Sequence, residues 1–392
     1  MQSFDTIVLG LGAMGSAALY HLARKSGRVL GLDRYSPPHA LGSTHGDTRI
    51  TRLAIGEGAQ YTPLALRSHE LWRELEEETG KTLLTTNGGL IISSPVKTSR
   101  THVENFFQNT LDAARRFGIA HEVLNAEEIR RRFPPFKVAD DEQGYLEKES
   151  GFVRPEECVG AYLSAAERRG AEIHRDENAL AFHASATGVS VTTDRGTYAA
   201  ETLIIAAGPW LPGLIGPELA RNFTVYRQTL FWFEIEGPLT PFLAEHYPVF
   251  IWELQGRQQG IYGFPAIDGA GGGIKIATEQ YQGATSPDAV RRDVTPGEMR
   301  AMYADNVVPY ISGVAGNCVK AVTCLYTVTP DFGFVIDRHP QYERVIVASP
   351  CSGHGFKHSP AIGEVLAELS TGGAARFDLE PFALERFARN NG

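Results

Sequence analysis

The chain opens on an apolar run, Thr6 to Leu9, followed by Gly10, Gly12 and Gly15, an alanine-rich stretch from Ala13 to Lys25, and a second apolar run, Val29 to Leu32, that ends in Asp33. Strand, glycine turn, helix and strand in that order predict a βαβ unit. The three glycines fit GxGxxG, and each has a mechanical use there. The first makes a tight turn, the second lets a pyrophosphate approach the backbone, and the third lets the helix pack closely on the sheet. The helix N-terminus then faces the phosphates, and Asp33 is placed to accept the ribose hydroxyls of an adenosine. The motif by itself does not separate NAD from FAD.

Helical periodicity follows over Leu64 to Glu78 and Val103 to Phe117, and a charged helical segment, Ala126 to Arg132, runs into Pro134 and Pro135. The prolines and the polar residues up to Ser150 read as loop or boundary. Pro155 to Arg169 predicts an amphipathic helix. Alternation over Ala179 to Phe182, Val189 to Thr193 and Thr197 to Tyr198 predicts a small meander, with a turn at Thr193 to Gly196. Thr202 to Ala207 is a short buried strand closed by Gly208, Pro209 and Trp210. Its return so late in the chain predicts a discontinuous nucleotide domain. Residues 223 to 278, rich in aromatic and β-branched side chains, predict a second, mostly antiparallel sheet that floors a pocket. The tail reads as strands at Val319 to Thr327, Phe334 to Asp337 and Arg344 to Ala348, a glycine turn, and a helix from Ser359 to Ser370.

The fold class is therefore α/β, a Rossmann-like domain joined to a mostly antiparallel β-sheet domain (α+β). We expect residues 1–85, 151–215 and 319–392 in the nucleotide-binding domain and residues 86–150 and 216–318 in the substrate domain. No internal repeat is present.

Composition narrows the partner. The 392 residues carry 37 basic and 46 acidic side chains, a formal charge of −9 that repels nucleic acid and anionic lipid, so a small molecule is expected instead. Thr6 to Ala23 is nearly uncharged, but Met1 to Asp5 lacks a basic n-region and glycines interrupt the stretch, so neither export nor a membrane span is expected. Cys158, Cys318, Cys324 and Cys351 are too few and too scattered for a disulfide framework or a zinc site and fit a reducing, cytoplasmic compartment.

Four clusters can carry chemistry. His45, Arg49 and Arg52 stand at i, i+4 and i+7, so a helix through 45 to 53 would put them on one face, either as a solvated basic surface or as a clamp for a carboxylate. Lys275 alternates with Ile274 and Ile276, so it points either to solvent or into a cavity; spacing alone favours solvent. Cys324 and Tyr326 share a strand face, where the cysteine is either a structural residue or a thiol activated by a nearby cation. Ser352 to Lys357 places Gly353 and Gly355 around His354, permitting close approach to a flat ligand, with Lys357 beside a helix N-terminus. His354 and His358 have the spacing of two zinc ligands, but Gly355 opposes a helix there and no acid completes the pattern, so no metal is expected.

Taken together, GLGAMGSAALYHLA at the start, Gly42 to Arg52 (GSTHGDTRITR), Gly56 to Trp72, Tyr262 to Pro265 (YGFP), Cys324 to Thr327 (CLYT) and Ser352 to Lys357 (SGHGFK) resemble the monomeric sarcosine oxidase and N-methyltryptophan oxidase family nearly end to end. The resemblance implies FAD, tied through its 8α-methyl to Cys324, and a soluble monomer. It implies that His45 and Arg49 line the flavin ring, that Arg52 and Lys357 bind the substrate carboxylate, that Lys275 activates oxygen, and that Tyr262 and Tyr326 are pocket aromatics. The activity implied is oxidation of a secondary amino acid to an imine that hydrolyses to formaldehyde and amine, with O2 reduced to H2O2. Where sarcosine oxidases carry a pocket histidine, this chain has Glu279, which points to a more basic or polar amine. The loop before Lys275 is slightly longer, and Pro350 and Cys351 stand ahead of SGHGFK, making Cys318 and Cys351 rival thiols for the flavin. Pipecolate, proline, D-amino acids and fructosyl amino acids remain alternative substrates, and an electron carrier an alternative to oxygen.

Overall fold

Side-chain alternation along the first strand sorts the core into two layers. Ile7 and Leu9 face one side of the sheet and Val8 the other, and the same division recurs in Leu203 and Ile205 against Ile204, and in Val345 and Val347 against Ile346. The computed structural model describes residues 2–25, 27–96, 103–255, 257 and 259–389. In it the strands Glu172–His174, Val29–Leu32, Gln2–Leu9, Thr197–Ile205 and Tyr342–Ser349 lie side by side and parallel, with Ile7 beside Leu203 and Leu9 beside Leu32. Strands this apolar on both faces need cover on both. The helices Ala13–Ala23, Pro155–Arg168 and Ser359–Ser370 share one apolar layer with Val8, Ile204 and Ile346. The meander and residues around Leu211, Phe223 and Phe387 cover the other face.

The first and last of these helices touch most closely at Gly363, where a Cβ would overlap Ala17. A side chain there would force the helices apart, so the two ends of the chain are fixed against each other by the absence of one atom. The helix starting at Ser359 carries Pro360 in its first turn, where the missing N–H has no intrahelical partner to lose.

The second sheet runs in the order Val314–Val328, Thr224–Ile235, Ile274–Thr278, Ile261–Phe264, Val249–Trp252, Gly89–Ser93, Gln143–Glu147 and Glu122–Asn125, antiparallel except between Val249–Trp252 and Gly89–Ser93. One face packs Phe231, Phe233, Phe250, Trp252, Ile274 and Ile276 into an apolar cluster with the helices Ala126–Arg132 and Pro296–Met302. The opposite face carries Trp232, Tyr262, Phe264 and Lys275.

Three expectations are corrected here. Gln143–Glu147, where the sequence predicts loop, is a strand with Tyr145, Leu146 and Glu147 buried; Pro134 and Pro135 end a helix and say nothing about the apolar residues beyond them. Val314–Val328 is one unbroken strand, every pair of which lies in the second sheet against Thr224–Ile235. The expected domain boundary at residue 319 therefore falls inside it, because a cross-strand ladder cannot be divided between two sheets without breaking its hydrogen bonds. The expected helix from Val103 starts at Phe106, after Asn105 adopts a left-handed conformation with φ 55°.

Candidate active site

One cavity of about 880 Å³ lies between the C-terminal ends of the parallel strands and the inner face of the second sheet. It is large for a ligand site, and its place at the strand ends is where open α/β sheets bind dinucleotides. At one end it is lined by Gly10, Gly12 and Asp33, and at the other by Arg49, Arg52, Tyr262, Lys275, Glu279, Tyr326, Gly353, His354, Gly355 and Lys357. Residues far apart in the sequence thus share one wall.

The nucleotide end is built as its glycines require. Gly10 has φ +87°, and a Cβ there would meet the Ala206 and Ala207 backbone at 2.7 Å. Gly15 does not line the cavity; its Cβ would overlap the Gly10 carbonyl, so it serves helix-on-sheet packing. Asp33 accepts hydrogen bonds from the amides of Leu11 at 2.7 Å and Tyr35 at 2.8 Å, which fixes its carboxylate at the rim. Open space beside Gly12, where the nearest atom to a Cβ is Thr44 Oγ1 at 3.4 Å, leaves the helix N-terminus approachable. These features fit the adenosine and pyrophosphate of FAD, with the ring end of the cavity left for an isoalloxazine.

The predicted helix through 45 to 53 is absent. Gly46 and Asp47 adopt left-handed conformations with φ +96° and +69°, and Arg49–Thr51 is a short strand paired with Gly151–Val153. Positive φ at consecutive residues ends any helical path, and β-branched Thr48, Ile50 and Thr51 favour extended backbone. The three basic residues consequently have different fates. His45 is buried and does not reach the cavity wall; burial, with Arg49 and Lys275 nearby, pushes its pKa down to about 3, so it is neutral. Arg49 donates to the carbonyls of Thr48 and Ser43, both at 2.8 Å, and its Nη2 lies 3.5 Å from Cys324 Sγ.

Arg52 is 3% exposed. It donates to the Ala54 carbonyl at 2.7 Å, lies over the Phe106 ring, and pairs with Glu57 through a short charge-assisted bond. Lys357 donates to the His354 carbonyl at 2.7 Å, and its Nζ is 3.9 Å from the same Glu57 carboxylate. Burial is the main cause that brings the Lys357 pKa down to about 8. The structure thus gathers both expected carboxylate-binding cations and puts an acid between them. Glu57 was not singled out in the sequence; its signal was a lone charge in the small-residue segment Ile55 to Gly58, five residues after Arg52.

Lys275 is buried at 2% exposure, against the expectation from spacing alone that it faces solvent. Strand alternation gave its side correctly, but what covers that side is a distant loop. Its Nζ donates to the carbonyls of Gly46 at 2.7 Å and Thr48 at 2.8 Å, and sits over the rings of Phe264 and Trp232. Burial, and then Arg49, hold its pKa well below the ordinary lysine value, while Asp47 and Glu156 oppose them.

Around Gly353, at φ +86°, Tyr281 Oη, Tyr326 Cε2 and Glu279 Oε1 come within 3.0, 3.1 and 3.4 Å of where a Cβ would lie. Tyr262 and Tyr326 approach through their hydroxyls at 3.4 Å, and burial pushes the Tyr262 phenol up to about 12. Tyr281 and Phe332 complete this aromatic wall and were not anticipated. His354 stacks on Phe334 at 4.5 Å. Cys324 is buried behind Arg49 and does not line the cavity, whereas Cys351 does and has its thiol pKa raised by burial. Cys318 lies elsewhere on the same strand as Cys324, against the Lys320 carbonyl. Among the described residues no group of three His, Cys, Asp or Glu side chains gathers as a metal site, and no helix is long and apolar enough to cross a membrane.

A dinucleotide turn and a cationic ring end in one cavity define a flavin-dependent oxidoreductase. Residues 5–369 match the family of FAD dependent oxidoreductases, and the chain belongs to that family. It is 41% identical over 388 residues to a monomeric sarcosine oxidase of Streptomyces avermitilis, covering 98% of each chain. It is also 33% identical over 403 residues to an N-methyl-L-tryptophan oxidase of Salmonella heidelberg, covering 99% of this chain and 100% of that one. Among solved structures, NikD, an unusual amino acid oxidase essential for nikkomycin biosynthesis, superposes with a TM-score of 0.85 at 26% identity over 98% of each chain.

Proposed function

We propose that the protein oxidises a secondary, N-methylated amino acid to an imine that hydrolyses to formaldehyde and the parent amine, with O2 taken to H2O2. The observation that carries this reading is the sharing of one cavity by the Gly10 turn and the cations Arg52, Lys275 and Lys357. Bound FAD supplies the two-electron acceptor and the site of oxygen reduction. Gly10, Gly12 and Asp33 hold its nucleotide half, and Gly353, His354 and Gly355 allow its ring to approach the backbone. Arg49, which lines the same cavity, would sit beside that ring.

Arg52 and Lys357 receive the substrate carboxylate. Glu57 must share Arg52 for this to happen, so the incoming carboxylate competes with a buried acid that also has Lys357 Nζ 3.9 Å away. Fixing the anionic end orients the N-methyl carbon, and well-oriented reactants reach effective molarities on the order of 10⁵ M or more. Tyr262 and Tyr326 exclude water from the reacting carbon, and Lys275 presents an ammonium to oxygen.

Cysteinyl attachment of the flavin is assigned to Cys324, whose sulfur lies 3.5 Å from Nη2 of the cavity-lining Arg49. Peptide mapping of the denatured holoenzyme distinguishes Cys324 from Cys351 and Cys318, and Cys324→Ala should release the flavin. The protein acts as a monomer, which gel filtration of the holoenzyme checks. A second reading, an oxidase of another amine such as pipecolate or an amino acid with a basic side chain, is favoured by the Glu279 carboxylate at the pocket wall. An aerobic panel of sarcosine, N-methyltryptophan, proline, pipecolate and basic N-methyl amino acids, read by peroxide release, tests both. Absence of turnover with every carboxylate-bearing amine refutes the function.

A further inference from the structure

Lys275, Trp232 and Lys320 form a row across three neighbouring strands: Trp232 is the register partner of Lys275 on one side and of Lys320 on the other. Their Nζ atoms lie 5.3 Å and 4.7 Å from the Trp232 ring centroid. The inner lysine is buried, and the outer one is 44% exposed and reaches Asp47, bonding both carboxylate oxygens at 2.9 and 2.7 Å. Asp47 is the residue between the two carbonyls, of Gly46 and Thr48, that hold Lys275 Nζ. Its left-handed backbone, following that of Gly46, lets both carbonyls converge on one point. The same loop is gripped from the helix side by Glu156, whose Oε1 accepts from the amides of Gly46 at 2.6 Å and Asp47 at 3.3 Å.

We propose that the Lys320–Asp47 pair is a latch that positions Lys275, holding residues 46–48 in the one conformation that aims its ammonium into the cavity. This rests on the reading of Lys275 as the group that serves oxygen. Glu156 holds the loop by its amides, and Arg49 adds a bond to the Thr48 carbonyl from within the loop. The Asp47 side chain ties the loop to the neighbouring strand, and Lys320 is the cation that holds it. A partly exposed ion pair contributes little to global stability, so its removal leaves the fold intact while loosening the loop.

The charged and titratable groups near Lys275 are His45, Asp47 and Arg49 on the loop, Glu156 on the helix, and Lys320 and Cys324 on the strand. Among them Lys320 is a cation, so deleting its charge acts by field in two opposed senses, favouring the Lys275 ammonium while weakening the pull on the charge that dioxygen acquires. A field effect leaves amide exchange across 43–49 unchanged, whereas loss of a latch accelerates it.

The test compares FAD-loaded wild type with Lys320→Met and Lys320→Arg. Reoxidation by O2 after anaerobic reduction should slow about tenfold in Lys320→Met, as for a misplaced reactive group. The anaerobic reduction rate and the KM for amine should not change. Amide hydrogen exchange across 43–49 should accelerate, and Lys320→Arg should restore both exchange and reoxidation. Unchanged exchange, or reoxidation as fast as wild type, overturns the latch. A slowing that Lys320→Arg fails to restore overturns it as well. If Lys275→Met reoxidises normally, the parent reading of Lys275 is what fails; accelerated exchange in Lys320→Met would then refute only the use of the latch in oxygen chemistry.

Discussion

Replacing Lys275 with Met removes one ammonium from the cavity wall and keeps side-chain length and apolar contact with Phe264 and Trp232. The size of the effect follows from where the charge sits. Two unit charges about 4 Å apart attract by about 1 kcal/mol in water and about 4 kcal/mol at the effective dielectric of about 20 suited to protein sites. Lys275 is 2% exposed, so the second value applies to the negative charge that dioxygen acquires with its first electron. At 1.36 kcal/mol per decade, Lys275→Met should slow reoxidation by between two and three orders of magnitude, roughly 10²- to 10³-fold. Anaerobic reduction by substrate should change little. The sign of the pH effect is also fixed. The folded pKa lies well below the ordinary lysine value of 10.5, so the ammonium is lost as pH rises through that lowered pKa, and wild-type reoxidation should slow with it. Lys275→Met should show no such limb. Stopped-flow mixing of anaerobically reduced enzyme with aerated buffer across the pH range gives both quantities. The variant takes one donor from each of the Gly46 and Thr48 carbonyls, which keep bonds from the Thr48 amide and Arg49, so a Tm lowered by the loss of ordinary hydrogen bonds, about 0.5–1.5 kcal/mol each, is expected and does not bear on the result. Reoxidation within a few-fold of wild type would refute the electrostatic argument.

Three other outcomes are open to measurement. Arg52→Ala should raise KM for carboxylate substrates by an amount worth about 2–5 kcal/mol, since truncation leaves an anion buried with one cation fewer, and an unchanged KM would remove Arg52 from the clamp. Because the Lys357 pKa is lowered to about 8, its ammonium is lost as pH rises past that point, so KM should climb there in wild type and stay flat in Lys357→Met, read from initial rates at a series of pH values. Glu279→Gln should reduce kcat/KM for amines with a second basic group relative to sarcosine by about tenfold or more, the worth of one hydrogen bond to a charged partner; an equal change for both substrates would deny the residue a part in selection.

How much of this was legible in the sequence varies with how local the cause is. The Gly10 turn, with its strand, helix and Asp33, and the helix Ser359–Ser370 are set by neighbouring residues, and the structure places them at the residues the pattern predicts. Spacing misled at residues 45 to 53, where i, i+4 and i+7 describe a helix that Gly46 and Asp47 cannot enter. The burial of Lys275 depends on a loop more than two hundred residues earlier supplying two carbonyls, and no local pattern encodes that approach. Glu57 became visible only when Arg52 and Lys357 were seen to converge on it, and Tyr281 and Phe332 only when Gly353 brought the last turn against them. Local chemistry gave the elements. Their assembly into a cavity required the three-dimensional contacts.

The contact of Gly363 with Ala17 bears on how the molecule matures. On the ribosome the helix bearing Ala17 emerges well over three hundred residues before the one bearing Gly363, so a nascent chain exposes half a binding site while everything between them is made. Loading of the prosthetic group therefore waits for the helix Ser359–Ser370, and a message truncated anywhere before it should yield a product that never turns yellow.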